Sequence, residues 1–307
     1  MTARFRLAQL ILSRTFAASL LLISTSFLPI QAHAAETHPY VLEDTEVFSL
    51  VSIVLHRDYE VWVSLPESYQ RNNRTYPVMF VTDANYAFPV IRSITRRVGQ
   101  HGENLEDYIL VGLSYAKGET PELSRDRDYT PSANLSVKGK KDSQGKPIVY
   151  GQSEAYRQFL IKEVFPLIAQ HYRADMQRKI FVGHSYGSLL GIHIMLTSPD
   201  LFTHYILGSP SLWFDHYSIL DEERAYAKTN KNLPAKVYLL VGGLETPQTN
   251  KSNDENMVQD TLRFQKTLLA HRYPSLAVHS TVIQDEDHLT VFPSLITRGL
   301  KWALPAR

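Results

Sequence analysis

Four short, solidly apolar runs alternate with helical segments along the chain, and this order constrains the fold more than any other feature. The runs are Pro77–Thr82 (PVMFVT), Tyr108–Leu113 (YILVGL), Lys179–Val182 (KIFV) and Lys236–Val241 (KVYLLV), with Val278–Ile283 a weaker fifth candidate. They lack the apolar/polar alternation of a half-exposed strand, so they suit parallel strands covered on both faces. Helices are expected between them. In Ser153–Tyr172, residues Tyr156, Leu160, Val164, Leu167 and Ile168 recur at helical spacing, with Arg157, Lys162 and Glu163 on the opposite side. Tyr186–Thr197, Glu255–His271 and Phe292–Leu304 also read as helices. Strand–helix alternation of this kind predicts an α/β fold with right-handed crossovers.

The segments before the first run differ. Phe48–Leu55 and Tyr59–Leu65 are rich in Val, Ile and aromatic residues around His56-Arg57-Asp58, which predicts an N-terminal antiparallel hairpin. His56-Arg57-Asp58 matches a kinase catalytic-loop triplet, but the Gly-rich loop and metal-binding sequence of a kinase are absent, so it reads as a turn. Residues 116–152 are rich in Gly, Pro, Ser, Lys and Asp without periodicity. A segment this long following a strand is expected as an insertion over the substrate crevice.

The chain begins with the pattern of a secretory leader. Arg4, Arg6 and Arg14 precede an apolar run from Phe16 to Ile30, and Ala32-His33-Ala34 supplies a small-x-small cleavage site. The apolar stretch is short for a bilayer span of about 20 residues. Cleavage near Ala34 is therefore expected, giving a periplasmic or secreted product, 35–307, without a stable membrane anchor. Removing residues 1–34 leaves 29 basic against 31 acidic side chains, a formal charge of −2. Such a balance gives no electrostatic case for nucleic acid as a partner. The sequence has no cysteine, which excludes disulfides, thiolate metal sites and a cysteine nucleophile. A domain of about 270 residues can bury enough core without them.

The chemistry centres on Gly183-His184-Ser185-Tyr186-Gly187. The G-x-S-x-G pattern is weak alone. Here a strand runs into it and a helix out of it, the setting of the nucleophile elbow in the α/β-hydrolase fold. Ser185 is the expected nucleophile, and the Tyr186 N–H the first oxyanion-hole donor. A serine hydroxyl needs a general base. In this fold the base follows the acid in the chain, and His288, between the last strand and the last helix, is best placed. His271 and His279 lie at a helix end and within a strand. For the acid, Glu245 in Gly242-Gly243-Leu244-Glu245-Thr246 has the right position in chain order, with Asp254, Asp260, Asp285 and Asp287 as alternatives. The second oxyanion donor is expected from the loop after Pro77–Val81, at the Ala84 or Asn85 N–H. No H-E-x-x-H or calcium-loop pattern occurs, and neither metal nor cofactor is expected.

VTDANYAF (81–88), RDRDYTPS (125–132), GHSYGSLLG (183–191), VGGLE (241–245) and DHLTVFPSLITRGLKW (287–302) resemble the putative-esterase family of α/β-hydrolases, nearest its siderophore trilactone esterase branch, from about Tyr40 to Trp302. That resemblance implies a mostly parallel central sheet with helices on both faces. It also implies catalytic roles for Ser185 and His288, an acid at Glu245 in some members, and enterobactin-like or bacillibactin-like ester substrates. Arg125 and Arg127 are candidate substrate contacts; salt bridges with Asp126 and Asp128 are the alternative. One departure stands out: Asp83-Ala84-Asn85 replaces the family's usual Asp-Gly-Asn. The function expected is hydrolysis of a small-molecule carboxylic ester through an acyl-enzyme. An acyltransferase using the same residues, or a non-catalytic binding protein on the same fold, are the other classes.

Overall fold

The apolar runs become the middle of one eight-stranded sheet. In the computed structural model, which describes residues 37–99, 104–133, 139–249 and 255–306, the strands are β1 (Thr45–Ser52), β2 (Arg57–Ser64), β3 (Tyr76–Val81), β4 (Ile109–Leu113), β5 (Ala174–His184), β6 (His204–Gly208), β7 (Lys236–Gly242) and β8 (Ala277–Ile283). Their spatial order is β1-β2-β4-β3-β5-β6-β7-β8. The β1–β2 and β2–β4 pairs are antiparallel and all other neighbours are parallel. Contacts divide the chain into Met1–Val41 and Leu42–Arg307. Of the first unit, residues 37–41 are described and contain no helix or strand. The expected leader lies outside the described residues. Among the described residues no helix is long and apolar enough to cross a membrane.

The uniform apolarity of the central strands follows from the pleat, which sends successive side chains to opposite faces. Val78, Phe80, Phe181, Tyr205, Leu207, Val237 and Leu239 face one core layer. There they meet α3 (Ser153–Phe159), α4 (Phe165–His171), α5 (Tyr186–Thr197), α6 (Phe214–Thr229) and α7 (Met257–Ala270). Met79, Val81, Ile180, Val182, Ile206 and Leu240 face the other layer, against α1 (Ala84–Gly99) and α8 (Val291–Ala303). Both faces of the central strands are covered by helices, which favours apolar side chains on each. Helix α5 is buried at every position from Gly187 to Leu196, as an all-round apolar helix must be.

Several elements differ from the sequence expectation. The hairpin turn lies at 53–56, so Arg57 and Asp58 belong to β2. The predicted helix 153–172 is interrupted by a π-helical turn at Leu160–Val164. Pro166 explains it: proline cannot donate to the carbonyl four residues back and its ring crowds that turn. Residues 116–152 are not wholly irregular, because α2 (Pro121–Asp128) forms within them. Thr120 caps α2 by accepting from the Leu123 N–H at 3.2 Å, and Pro121 occupies the first turn.

Candidate active site

The carboxyl ends of β3, β5, β6, β7 and β8 lie side by side, and the chain leaves each of them into the same crevice, the usual location of a site in such sheets. Ser185 follows β5 with φ 58° and ψ −119° at the N-terminus of α5. A non-glycine residue in that conformation is strained and persists only where its surroundings fix it. Two glycines make the bend sterically attainable. A Cβ on Gly183 would lie 2.3 Å from the Gly187 backbone, and one on Gly187 would lie 2.3 Å from Thr82 Oγ1. The Ser185 N–H donates to Gly208 O at 2.9 Å, which ties the bend to β6.

His288 enters from the loop before α8, and its Nδ1 lies 2.6 Å from Glu245 Oε2. Glu245, on the loop after β7, is 4% exposed. Its other oxygen, Oε1, accepts from the Gly242 N–H at 2.7 Å and from Ser209 Oγ at 2.5 Å. Two of the alternative acids, Asp287 and Asp260, are bonded elsewhere. Asp287 accepts from the Leu289 and Thr290 N–H groups at 2.8 and 2.9 Å, and these backbone bonds hold its carboxyl below the usual range. Asp260 accepts from the Tyr217 hydroxyl at 3.2 Å. Asp285 lies on the exposed turn after β8 with φ 61°, and Asp254 is outside the described residues.

His184, at the end of β5, packs its ring 4.6 Å from that of His288. Burial, and then the neighbouring His288, push the His184 imidazole well below its ordinary pKa, so it stays neutral. Two clefts meet at Ser185 and His288. One, about 510 Å³, runs past Ser211, Trp213, Leu244, Glu255 and Met257. The other, about 440 Å³, runs past Tyr86, Val90, Arg125, His184 and Phe292. Burial, reinforced by Asp260, raises the Glu255 carboxyl to about 6.

The helix that opens beside the elbow, α1, begins at Ala84. The backbone strain falls on Asp83, with φ 56°, and not on Ala84. Alanine is therefore compatible with this position, and the family's glycine is not needed for its φ. The first N–H groups of a helix lack intrahelical acceptors. The Ala84 and Asn85 N–H groups at the start of α1, and that of Tyr186 at the start of α5, are such groups.

The structure separates the two arginines. Arg125 lines the second cleft, with Nε 3.1 Å from the buried Asp83 carboxylate and its guanidinium 5.3 Å from the centre of the Tyr186 ring. Arg127 does not reach either cleft. Its side chain is 3% exposed and bonds Asp128, Glu119 and the Tyr59 hydroxyl. It locks α2 to β2, which removes it from the substrate contacts expected from the sequence. Sequence reading also missed Ser209 and Ser211, on the turn after β6. Ser211 Oγ lies 3.2 Å from Ser185 Oγ.

A strained serine between a parallel strand and a buried helix, with an imidazole–carboxylate pair at neighbouring strand ends, defines the α/β-hydrolase class. Residues 52–282 match the family described as "Putative esterase", more than half of the chain; the chain belongs to that family. It is 27% identical over 279 residues to the Ferri-bacillibactin esterase BesA of Bacillus subtilis, covering 89% of this chain and 94% of that one. It is 28% identical over 179 residues to the Siderophore triacetylfusarinine C esterase of Aspergillus fumigatus, covering 56% of this chain and 58% of that one. The BES protein from Bacillus cereus superposes with a TM-score of 0.73 at 24% identity, over 88% of this chain and 98% of that one. Siderophore hydrolase EstA from Aspergillus nidulans superposes at 0.71 and 21% identity, with the same coverage. At those identities the structural likeness shows the fold.

Proposed function

We propose that this chain is an exported serine esterase in which Ser185, His288 and Glu245 form the catalytic relay. Ser185 Oγ attacks the ester carbonyl carbon while its proton passes to His288 Nε2. Glu245 holds the Nδ1–H tautomer and stabilises the imidazolium. The oxyanion is held by the Tyr186 N–H and by that of Ala84 or Asn85. Collapse expels the alcohol, which takes the proton back from His288. Water then attacks the acyl-enzyme by the same route and releases the acid. The observation that carries this reading is the 2.6 Å pair between His288 and a buried Glu245, on the loop beside a serine held at positive φ.

The proposed substrate is a siderophore ester. The support is the family, together with relatives named for ferri-bacillibactin and triacetylfusarinine C. The test is a hydrolysis panel on residues 35–307 with p-nitrophenyl butyrate, methyl ferulate and catecholate trilactones, each trilactone with and without iron. A kcat/KM for a trilactone at least tenfold above that for the simple esters is expected. Turnover of the simple esters alone would overturn the siderophore reading and leave the esterase reading intact. Export rests on the leader pattern; protein from the native host is expected to begin near Ala35, and mass spectrometry finding residues 2–30 retained would refute it.

A further inference from the structure

The turn after β6, Gly208-Ser209-Pro210-Ser211, carries two hydroxyls that the proposed relay does not yet use. Ser209 is 0% exposed and Ser211 is 1% exposed. A buried serine ordinarily satisfies its hydroxyl on a nearby carbonyl. Ser188 does so, donating to Gly183 O and Gly208 O, both at 2.8 Å. Ser209 and Ser211 do not. Ser209 Oγ lies 2.5 Å from Glu245 Oε1, and Ser211 Oγ lies 3.2 Å from Ser185 Oγ. The turn is fixed from both sides. The Ser209 N–H donates to Leu240 O at 2.7 Å, Gly208 O accepts from the Ser185 N–H at 2.9 Å, and Ser209 is held at φ 42°. A residue kept in the left-handed region without being glycine marks a place where surrounding structure dictates the backbone.

We propose that this turn positions both ends of the relay: Ser211 holds the nucleophile and Ser209 holds the acid. The inference rests on the serine-esterase reading above. Ser185 has one hydroxyl proton, and attack requires that proton to face His288. When Ser211 Oγ–H donates to Ser185 Oγ, the Ser185 proton is left for His288 Nε2, and the Oγ lone pair remains for the carbonyl carbon. Ser211 keeps its own proton throughout. Its bond strengthens as negative charge gathers on Ser185 Oγ and weakens once that oxygen becomes an ester oxygen, a poorer acceptor. The effect therefore belongs to attack and is not a uniform contribution to binding. Ser209 acts one step back. By donating to Oε1 with the Gly242 N–H, it leaves Oε2 directed at His288.

The experiment compares Ser211→Ala, Ser209→Ala, Ser209→Gly and Ser185→Ala with the unaltered enzyme on p-nitrophenyl butyrate. Rates of phosphonylation by a fluorophosphonate are measured alongside, all per active site titrated by intact mass. Circular dichroism and Tm report folding separately. Ser211→Ala is expected to slow phosphonylation and kcat/KM together by about tenfold per titrated site. Ser209→Ala and Ser209→Gly are expected to lower kcat by a similar factor at little-changed KM. Glycine relieves the φ of 42°, so a loss caused by backbone strain would be rescued by Ser209→Gly, and a loss caused by the missing hydroxyl would not. The inference is overturned if Ser211→Ala reacts within twofold of the unaltered enzyme per titrated site, or if Ser209→Gly restores the rate. Hydrolysis retained in Ser185→Ala would instead overturn the serine-esterase reading itself.

Discussion

Glu245→Gln tests the acid in atomic terms. Oε1 of Glu245 accepts from the Gly242 N–H at 2.7 Å, and a backbone N–H can only donate. A glutamine in this pocket must therefore put its oxygen at Oε1 and its NH₂ at the Oε2 position. That NH₂ then faces His288 Nδ1, which in the native enzyme lies 2.6 Å from a carboxylate oxygen. Two donors cannot share the contact, so His288 must accept at Nδ1 and carry its proton on Nε2. In that tautomer it cannot take the Ser185 proton. An acid-to-amide change that fixes the wrong tautomer costs about 10⁴-fold in kcat, or about 5 kcal/mol of barrier. The assay is steady-state hydrolysis of p-nitrophenyl butyrate with the folded fraction checked by circular dichroism. KM is expected to stay near its native value, because the carboxylate acts on the transition state. A fall in kcat of less than about tenfold, roughly 1.4 kcal/mol, would refute the reasoning and leave a Ser–His pair.

Three further outcomes follow from packing and protonation. Gly183→Ala is expected to lose about 3 kcal/mol or more by urea denaturation, the upper end of overpacking costs, because its Cβ would sit 2.3 Å from Gly187 backbone atoms that cannot give way. Arg127→Ala is expected to lose about 3 kcal/mol, since it takes the paired cation from the buried Asp128 carboxylate, while KM per folded enzyme is unchanged; a raised KM at native stability would return Arg127 to the substrate. His204 is pushed from 6.5 to about 4, by burial first and Lys236 second. The unfolded chain then binds a proton below 6.5 that the folded chain refuses until about 4. Stability should therefore fall as pH drops through that window, and a Tm profile of His204→Asn should be flatter there than that of the native protein.

The parts of the molecule that were legible in the sequence are those where one residue type has one physical use. The central strands showed as solid apolar runs because helices cover both faces of the sheet. The elbow showed because Gly183 and Gly187 are the residues that fit against Gly187 and Thr82. Strand β6 was missed because its five residues begin at His204 and end at Gly208, too brief and too punctuated to register. Helix α1 was hidden by Pro89 inside it. Helix α6 was hidden because Asp215, His216 and Tyr217 all take positive φ at its start, a conformation that side-chain periodicity does not encode. The two serines after β6 carried no signal, since a hydroxyl's partner depends on which strand ends the sheet brings together. Arg125 and Arg127 were indistinguishable by spacing, and helix α2 decides between them by turning one to the cleft and the other to Asp128.

The most direct measurement is the site and rate of covalent labelling by a fluorophosphonate. The protein is expected to gain one phosphonyl group, located on Ser185 by peptide mass spectrometry. The adduct is expected to be absent in Ser185→Ala and to form at least about 10²-fold more slowly in His288→Ala, because the serine then lacks its base. Ester hydrolysis should disappear in parallel with the labelled fraction. A label on another residue, or native hydrolysis by Ser185→Ala, would contradict the assignment of Ser185 as the nucleophile.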